Sequence, residues 1–342
     1  MKEGLQTVDA NFPKTLEGRV YHVGVKRGEV ANRIITVGDH SRARALAKFL
    51  DQTPNPHIVR SERKFLTITG RYKGVPVSII AIGMGFAMVD FFVREVRAVV
   101  DGELAIIRMG SCGTIGSPET GSMVVPDGAF VVTKNYTSAE EDEDDSVSSR
   151  YSLSKVYHAD DQMHNLLKSE LCKRFPKSEV YVGLDATCDS FYSSQGRMDV
   201  NFADYNSSII SYITTVYPRT QIMEMETAIL YRLARASNNY PLKDKSKKHS
   251  IKAAAALMVY ANRKNNDFVS PDRVNFLEKK AGEAVFEAIV KVNLDELHNE
   301  EGSVWSITDD TKNSTTYYKA HVTLQMEIIG LFVFYGWGFA TS

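Results

Sequence analysis

Four short segments carry residues whose types and spacing suit work on an anionic ligand. The first is Gly38-Asp39-His40-Ser41-Arg42. An apolar run ends there, a glycine turns the chain, and helical spacing begins with Ser41 as the expected cap. Backbone amides at such a turn form an anion site. Arg42 falls in the first helical turn, where the positive end of the dipole disfavours a cation, so helix stability does not explain it. A bound anion would; a surface arginine is the alternative. The second segment, Arg108-Met109-Gly110-Ser111-Cys112-Gly113, directly follows the apolar run Leu104 to Ile107. Ligands of α/β folds sit at the carboxyl ends of strands. Ser111 and the glycine-rich backbone can donate to the same anion, or the segment is only a tight turn with a surface arginine.

The third segment is Phe191-Tyr192-Ser193-Ser194-Gln195-Gly196-Arg197. Gln195 offers a donor and an acceptor, and Arg197 a fixed fork of donors. Two residues apart in extended chain they point the same way. Such a pair suits a planar ligand edge with alternating carbonyl and imide groups, with Phe191 as a stacking face; a polar loop is the alternative. The fourth is Met223-Glu224-Met225-Glu226 at the start of a predicted helix, where carboxylates also simply complement the dipole. No serine or cysteine has a readable His and acid partner. His22, His57 and His164 lack metal-ligand spacing, and Gly83-Met84-Gly85 lacks the third glycine of a dinucleotide fingerprint.

The elements that must position these groups alternate. Asn32 to Val37 predicts a strand, followed by a helix with Ala45, Leu46, Phe49 and Leu50 on one face. Phe65 to Thr69 and Val75 to Ile82 predict two strands across a turn at Tyr72-Lys73-Gly74, and Phe86 to Val100 a helix. Leu104 to Ile107 predicts a strand running into a loop from Gly110 to Gly116. Strands at Met123 to Val132 and Val180 to Leu184 flank a helix over Asp161 to Phe175. Met225 to Ser237 predicts a helix and Ala253 to Tyr260 a strand. Val274, Leu277, Ala281, Val285 and Ile289 mark a final helix. Alternation of this kind indicates an α/β sandwich around a central sheet.

The chain has 342 residues, 41 basic and 42 acidic, and a formal net charge of −1, which argues against a dedicated nucleic-acid binder. Hydrophobic residues at 43 % exclude disorder for most of its length. Three scattered cysteines, Cys112, Cys172 and Cys188, fit a reducing compartment rather than a disulfide framework or zinc site. The segment from Met1 to Asn11 has no apolar signal core. The longest apolar stretch, Ile328 to Ala340, is shorter than the roughly 20 residues a spanning helix needs. A cytoplasmic protein without membrane partners is expected. Glu140 to Asp145 is a run of acidic residues, and Asn238 to Ser250 is rich in lysine; both read as surface loops.

Taken in order, several motifs resemble the nucleoside phosphorylase-I family over about residues 18 to 295. They are Tyr21-His22-Val23-Gly24, Gly38 to Arg42, Ser61-Glu62-Arg63-Lys64-Phe65, Gly83-Met84-Gly85, Ile107 to Gly113, Asp189 to Arg197, Glu224-Met225-Glu226 and Asn262-Arg263. Gln195 and Arg197 match the uracil-type members. Purine-type members usually carry an aspartate where this chain has Asn262-Arg263. The resemblance implies an α/β fold, a three-layer α/β/α sandwich with a central mixed, partly barrel-like sheet. It also implies one domain over 18–296, with insertions near 138–149 and 238–250. An extension over 1–17 and a tail over 297–342 are left over.

The implied activity is that of a pentosyltransferase in pyrimidine nucleoside salvage. Uridine, with deoxyuridine and thymidine as further candidates, reacts reversibly with orthophosphate to give uracil and ribose 1-phosphate. By resemblance, Gly38, Arg42, Arg108 and Ser111 hold phosphate, with Arg63 reaching the phosphate of the neighbouring subunit. His22 reaches across to the ribose 5′-hydroxyl, while Glu224, Met225 and Glu226 hold the ribose from within. Gly113, Phe191, Gln195, Arg197, Tyr260 and Arg263 hold the uracil. Arg108, Arg197 and Glu226 carry the catalysis. Residues shared across an interface imply at least a homodimer. Bacterial relatives form a ring of three dimers, which the two insertions would obstruct. No cofactor is implied beyond orthophosphate as co-substrate. Lys64 and Met88 replace the glutamate and serine that help bind an interface cation in bacterial relatives, so that site is not matched. The alternatives are a purine nucleoside phosphorylase, a nucleosidase, or a catalytically silent nucleoside-binding protein on the same fold. A nucleosidase uses water and has no need of Arg42, Arg63 and Arg108.

Overall fold

The computed structural model of the chain describes residues 7–137, 146–241, 249–294 and 301–306. The acidic run, most of the lysine-rich insertion and the apolar end of the tail lie outside the described residues. A small hairpin of β1 (Thr7–Val8) and β2 (Lys14–Thr15) precedes β3 (Arg33–Val37) and α1 (His40–Ala47). Next come β4 (His57–Arg60), β5 (Leu66–Tyr72), β6 (Val75–Ala81), α2 (Phe86–Val99) and β7 (Leu104–Thr114). β8 (Met123–Lys134) leads through α3 (Val147–Arg150), β9 (Tyr151–Leu153) and β10 (Tyr157–His158) to α4 (Asp161–Cys172) and β11 (Val180–Cys188). The last elements are α5 (Ile209–Val216), β12 (Thr220–Glu224), α6 (Thr227–Asn238), β13 (Ile251–Asn262) and α7 (Pro271–Ile289).

Eleven strands join one mixed sheet with the order β10-β8-β11-β12-β7-β3-β6-β5-β4. β13 pairs parallel with β7 and antiparallel with β8, and β9 adds to β8. The double pairing of β13 curls one half of the sheet, which as a whole is not a closed barrel. Helices α1, α4 and α7 bury Leu46, Leu167, Leu277 and Val285 in one core. Helices α2 and α6 bury Val89, Phe92, Leu230 and Tyr231 in another. A third, smaller core joins α5 to Phe130 and Tyr151. The three-layer sandwich expected from the sequence is present. Full burial of one such side chain stabilises the fold by about 1.5–3 kcal/mol, so packing on the sheet, more than local propensity, fixes the helices.

Local chemistry explains the connections nearest the site. Lys73 and Gly74 both have positive φ and form the two-residue turn that joins β5 to β6 in register, Tyr72 opposite Val75. Ser270 caps α7 by accepting from the Arg273 amide, and Pro271 opens the helix. Three expectations change. Asp39, not Ser41, caps α1: its carboxylate accepts from the Arg42 amide at 2.8 Å, and the Ser41 hydroxyl donates to it. The glycine-rich stretch after Ile107 is strand rather than loop, because β13 pairs with it from Leu104 to Thr114. Gly110 makes that approach possible, since a Cβ there would lie 2.9 Å from Leu257 Cδ2. Finally, the helix predicted from Met225 begins two residues later: Glu224 ends a strand and Glu226 is the N-cap residue of α6, which leaves the two carboxylates at the helix start as expected.

Candidate active site

Carboxyl ends of five strands open on one cavity of about 330 Å³. β3 brings Gly38, β6 brings Gly83 and β7 brings Ser111 to Gly113. β12 brings Glu224, β13 brings Tyr260, and the loop after β11 brings Phe191, Gln195 and Arg197. Twelve of the fifteen residues singled out from the sequence line it: Gly38, Arg42, Arg108, Ser111, Gly113, Phe191, Gln195, Arg197, Glu224, Met225, Glu226 and Tyr260. They are up to 222 positions apart in sequence (260 − 38), so the fold alone assembles them. Asp39, Met84, Cys112 and Phe268 also line the cavity without having been foreseen as site residues. Nothing local marks Phe268, which reaches the rim through a bridge between Ala261 and Phe268.

Arg42 is buried at the phosphate-side turn. Its Nε donates to Glu278 Oε1 at 2.8 Å, and its Nη1 lies 3.5 Å from Asp39 Oδ2. Burial opposes the Arg42 charge, but Tyr260, Glu278 and Asp39 outweigh it and raise its pKa. The Tyr260 hydroxyl donates to the same Glu278 oxygen at 3.2 Å. Glu278 lies 236 residues from Arg42 in the chain, and no spacing pattern reveals the pair.

Arg108 is the cation at the centre. Its Nε donates to Glu224 Oε2 at 3.2 Å and its Nη2 to Glu226 Oε2, while Nη1 is buried without a hydrogen-bond partner. Glu224 also accepts from the amides of Glu226 and Thr227, at 2.8 and 2.9 Å, and from the Thr187 hydroxyl at 2.8 Å. Burial works against its charge, yet Arg108 and these donors keep its pKa below the usual value. Glu226 accepts from the Gly85 amide at 2.6 Å. Burial, helped by the nearby Glu224, raises the Glu226 carboxyl to about 7 against the pull of Arg108.

On the opposite wall, Arg197 lies 3.6 Å from the Phe191 ring centroid. It donates to Gln195 Oε1 at 2.5 Å and to the Phe191 carbonyl at 2.7 Å. Burial and neighbouring Arg263 lower its pKa to about 10, so it remains a cation at neutral pH. Gly196, at φ +66°, turns the chain between the pair, so they converge through a turn and not through extended backbone. Arg263 packs beside Gly113, where a Cβ would lie 3.5 Å from its Cγ, and its guanidinium donates to the Gln195 and Gly196 carbonyls at 3.0 and 3.1 Å.

His22 and Arg63 lie away from the chain's own cavity. His22 stacks on Phe91 with 3.8 Å between ring centroids, and its Nδ1 is 2.6 Å from Glu95. Glu95 further accepts from the amides of His22 and Val23. Arg63 donates to the Tyr21 hydroxyl at 3.2 Å, and Tyr21 meets the His22 ring edge-on. The two residues therefore share one surface patch. Among the described residues, no group of His, Cys, Asp and Glu is arranged to hold a metal ion.

A glycine turn, two arginines, two carboxylates and an amide–guanidinium pair thus line one cavity. Residues 32–290 match the Phosphorylase superfamily, and the chain belongs to it. It is 27 % identical over 264 residues to a uridine phosphorylase of Thermococcus kodakarensis, covering 76 % of this chain and 84 % of that protein. It is 28 % identical over 216 residues to a DeoD-type purine nucleoside phosphorylase of Oceanobacillus iheyensis, covering 62 % and 80 %. A solved uridine phosphorylase of the oomycete Phytophthora capsici superposes with a TM-score of 0.75 at 37 % identity, over 84 % of this chain and all of that one.

Proposed function

We propose that this chain catalyses the reversible phosphorolysis of uridine by orthophosphate, giving uracil and ribose 1-phosphate. The observation that carries this reading is a single cavity joining Arg42 and Arg108 to the Glu224–Glu226 pair and to Gln195 and Arg197. Phosphate binds between the Gly38 turn, Arg42, Arg108 and Ser111. Ribose lies on Met225, with its hydroxyls donating to Glu226. Uracil meets Gln195 and Arg197 beside Gly113, Phe191 and Tyr260. Arg263 acts as a positioning residue that holds the Gln195–Gly196 backbone.

In the forward reaction a phosphate oxygen forms a bond to C1′ as the C1′–N1 bond breaks and its electron pair leaves with uracil. Phosphate is the nucleophile, a part that a carboxylate plays in many glycosidases, so no second catalytic carboxylate is needed. Arg42 and Arg108 hold it in line. Negative charge developing on the uracil carbonyl falls opposite Gln195 and Arg197, where fixed donors in a buried site are worth most. No cofactor is required. Relatives that act on purine nucleosides share the fold, but the Gln195–Arg197 pair favours an imide edge over a purine.

The decisive assay follows base release from uridine and from inosine, with and without phosphate. Phosphate-dependent cleavage of uridine is expected. Activity on inosine alone overturns the base assignment, cleavage without phosphate indicates a nucleosidase, and binding without cleavage a silent nucleoside-binding protein. Arg197→Ala is expected to lower kcat about 100-fold or more with a smaller effect on ribose binding. An unchanged kcat excludes its leaving-group role.

We further infer that residues 18–296 form one domain, which is supported by the single sheet running from β3 to β13. A homodimer is inferred in which His22 and Arg63 complete the partner's cavity, since neither lines its own. A solution mass of about twice 38.2 kDa supports this and a sixfold mass overturns it. A cytoplasmic location is inferred, with which the free cysteines accord, and a role in pyrimidine nucleoside salvage follows from the proposed reaction.

A further inference from the structure

One buried acid has no part in the reaction just described. Asp185 sits on β11, in the middle of the otherwise apolar run Val182-Gly183-Leu184-Asp185-Ala186, and none of its surface is exposed. It is linked to Glu224 through the Thr187 hydroxyl and is not among the residues that line the cavity. The hydrogen bonds around it do not close without an extra proton. Thr187 Oγ1 is 2.7 Å from Asp185 Oδ2 and 2.8 Å from Glu224 Oε1, and it already accepts from the Ala228 amide at 2.8 Å. A hydroxyl has one proton and can donate to only one of those two carboxylates. Asp185 Oδ1 has no donor at all. Arg108 already serves Glu224 and Glu226, so three buried carboxyl groups share one guanidinium. Other groups close to Asp185 are Cys112 on β7, Cys188 on β11 and Tyr231 on α6, none of which supplies a positive charge.

We propose that Asp185 is a neutral carboxylic acid and a positioning residue: its proton completes the Asp185–Thr187–Glu224 chain and holds Glu224 as the anion that orients Arg108. A donor reaching a carboxylate favours its charged form. Asp185 therefore keeps the shared proton of the neighbouring pair on Glu226 and off Glu224. Burial and the adjacent Glu224 charge push the Asp185 carboxyl well up, in accord with this assignment. If Asp185 were ionised, two neighbouring buried carboxylates would repel, and Thr187 would leave one of them unserved.

The test has two arms. The first uses the whole protein and needs no substrate: infrared difference spectra between wild type and Asp185→Asn. A carboxylic-acid carbonyl band that persists from neutral to alkaline pH is expected in wild type and is lost in the variant. Absence of such a lost band, or its titration in the ordinary carboxylate range, overturns the proposal. The second arm rests on the proposed phosphorylase reading and follows uridine binding against pH. Asp185→Ala is expected to move the acid limb upward by up to about one pH unit, because Glu224 loses a donor to its charged form and the Glu224–Glu226 pair as a whole then keeps its shared proton to higher pH. Asp185→Asn keeps a donor and restores the limb. An equal shift in both variants, or none in the alanine variant, overturns the positioning role. A chain that binds no uridine would defeat the phosphorylase reading while leaving the infrared result to decide Asp185.

Discussion

Two charge clusters in this protein, each around a buried group, have opposite compositions. Buried Glu170 on α4 accepts from three cations, Lys173 at 2.6 Å, Arg174 at 3.0 Å and Lys291, beyond α7, at 2.7 Å, with Glu283 and Glu287 further out at 3.7 Å from Arg174 and 3.8 Å from Lys291. At the cavity, Arg108 is one cation among Glu224, Glu226 and Asp185. The first cluster ties α4 to the chain beyond α7. Burial works against the Glu170 charge, but the three donors outweigh it and hold the carboxyl at about 2. The second cluster leaves Glu226 at about 7 and a buried Arg108 nitrogen unserved. A cluster that exists to join helices satisfies its charge fully. One built around a ligand keeps unsatisfied capacity that the ligand completes, at a cost in stability.

The signs of their pH dependence are opposite too. The folded-state value of Glu170 is depressed from 4.5, so its stabilisation is present above about 4.5 and is lost as pH falls toward 2. The folded-state value of Glu226 is raised from 4.5, so between 4.5 and about 7 the native state binds more protons than the unfolded chain, and stability falls as pH rises through that window.

The largest test of the contrast is Arg108→Ala. It removes the cation that pairs with Glu224 and Glu226 and, on the proposed reading, a phosphate ligand together, and a loss of about 10³-fold in kcat/KM for phosphate is expected. A variant with near wild-type turnover would place the reacting centre elsewhere. A smaller effect comes from pH alone. If Glu226 takes the ribose hydroxyls as proposed, its protonation removes one acceptor, so uridine binding should weaken by about tenfold per pH unit below about 7. Calorimetry without phosphate reads this cleanly, because phosphate itself titrates nearby. A flat profile down to pH 5 would remove Glu226 as the titrating acceptor. The smallest effect belongs to the other cluster. Glu170→Gln should lower stability at pH 7 by about 1–2 kcal/mol, discounted for the solvent-exposed lysines, and leave kcat unchanged. Its unfolding midpoint should also vary less than that of wild type between pH 4.5 and 2. A change in turnover would mean that the two clusters are coupled.

How much of this was legible in the sequence follows from the range of the forces involved. The runs at Asn32 to Val37 and Val75 to Ile82 and the helical spacing of Val274 to Ile289 are local patterns, and each appears as an element close to its expected limits. The Gly38 to Arg42 turn was also local, and Arg42 does face the cavity. β12 was missed because Thr220 to Glu224 is short and half polar; it forms through pairing with β7 and β11. The glycine-rich end of β7 read as loop because its strand character depends on β13, more than a hundred residues later. Arg263 was legible as a motif residue, but which carbonyls its guanidinium serves depends on the loop around Gly196.

By itself, then, the sequence determined the alternation of elements, the glycine turns and the kinds of functional group present, because propensity and periodicity act over a few residues. Only the tertiary structure decided the electrostatics. Arg42 with Glu278, Arg108 with Glu226, and Asp185 with Glu224 are pairings across the fold. What each group can do depends on burial and on the charges beside it, and neither is set until the sheet has closed around them.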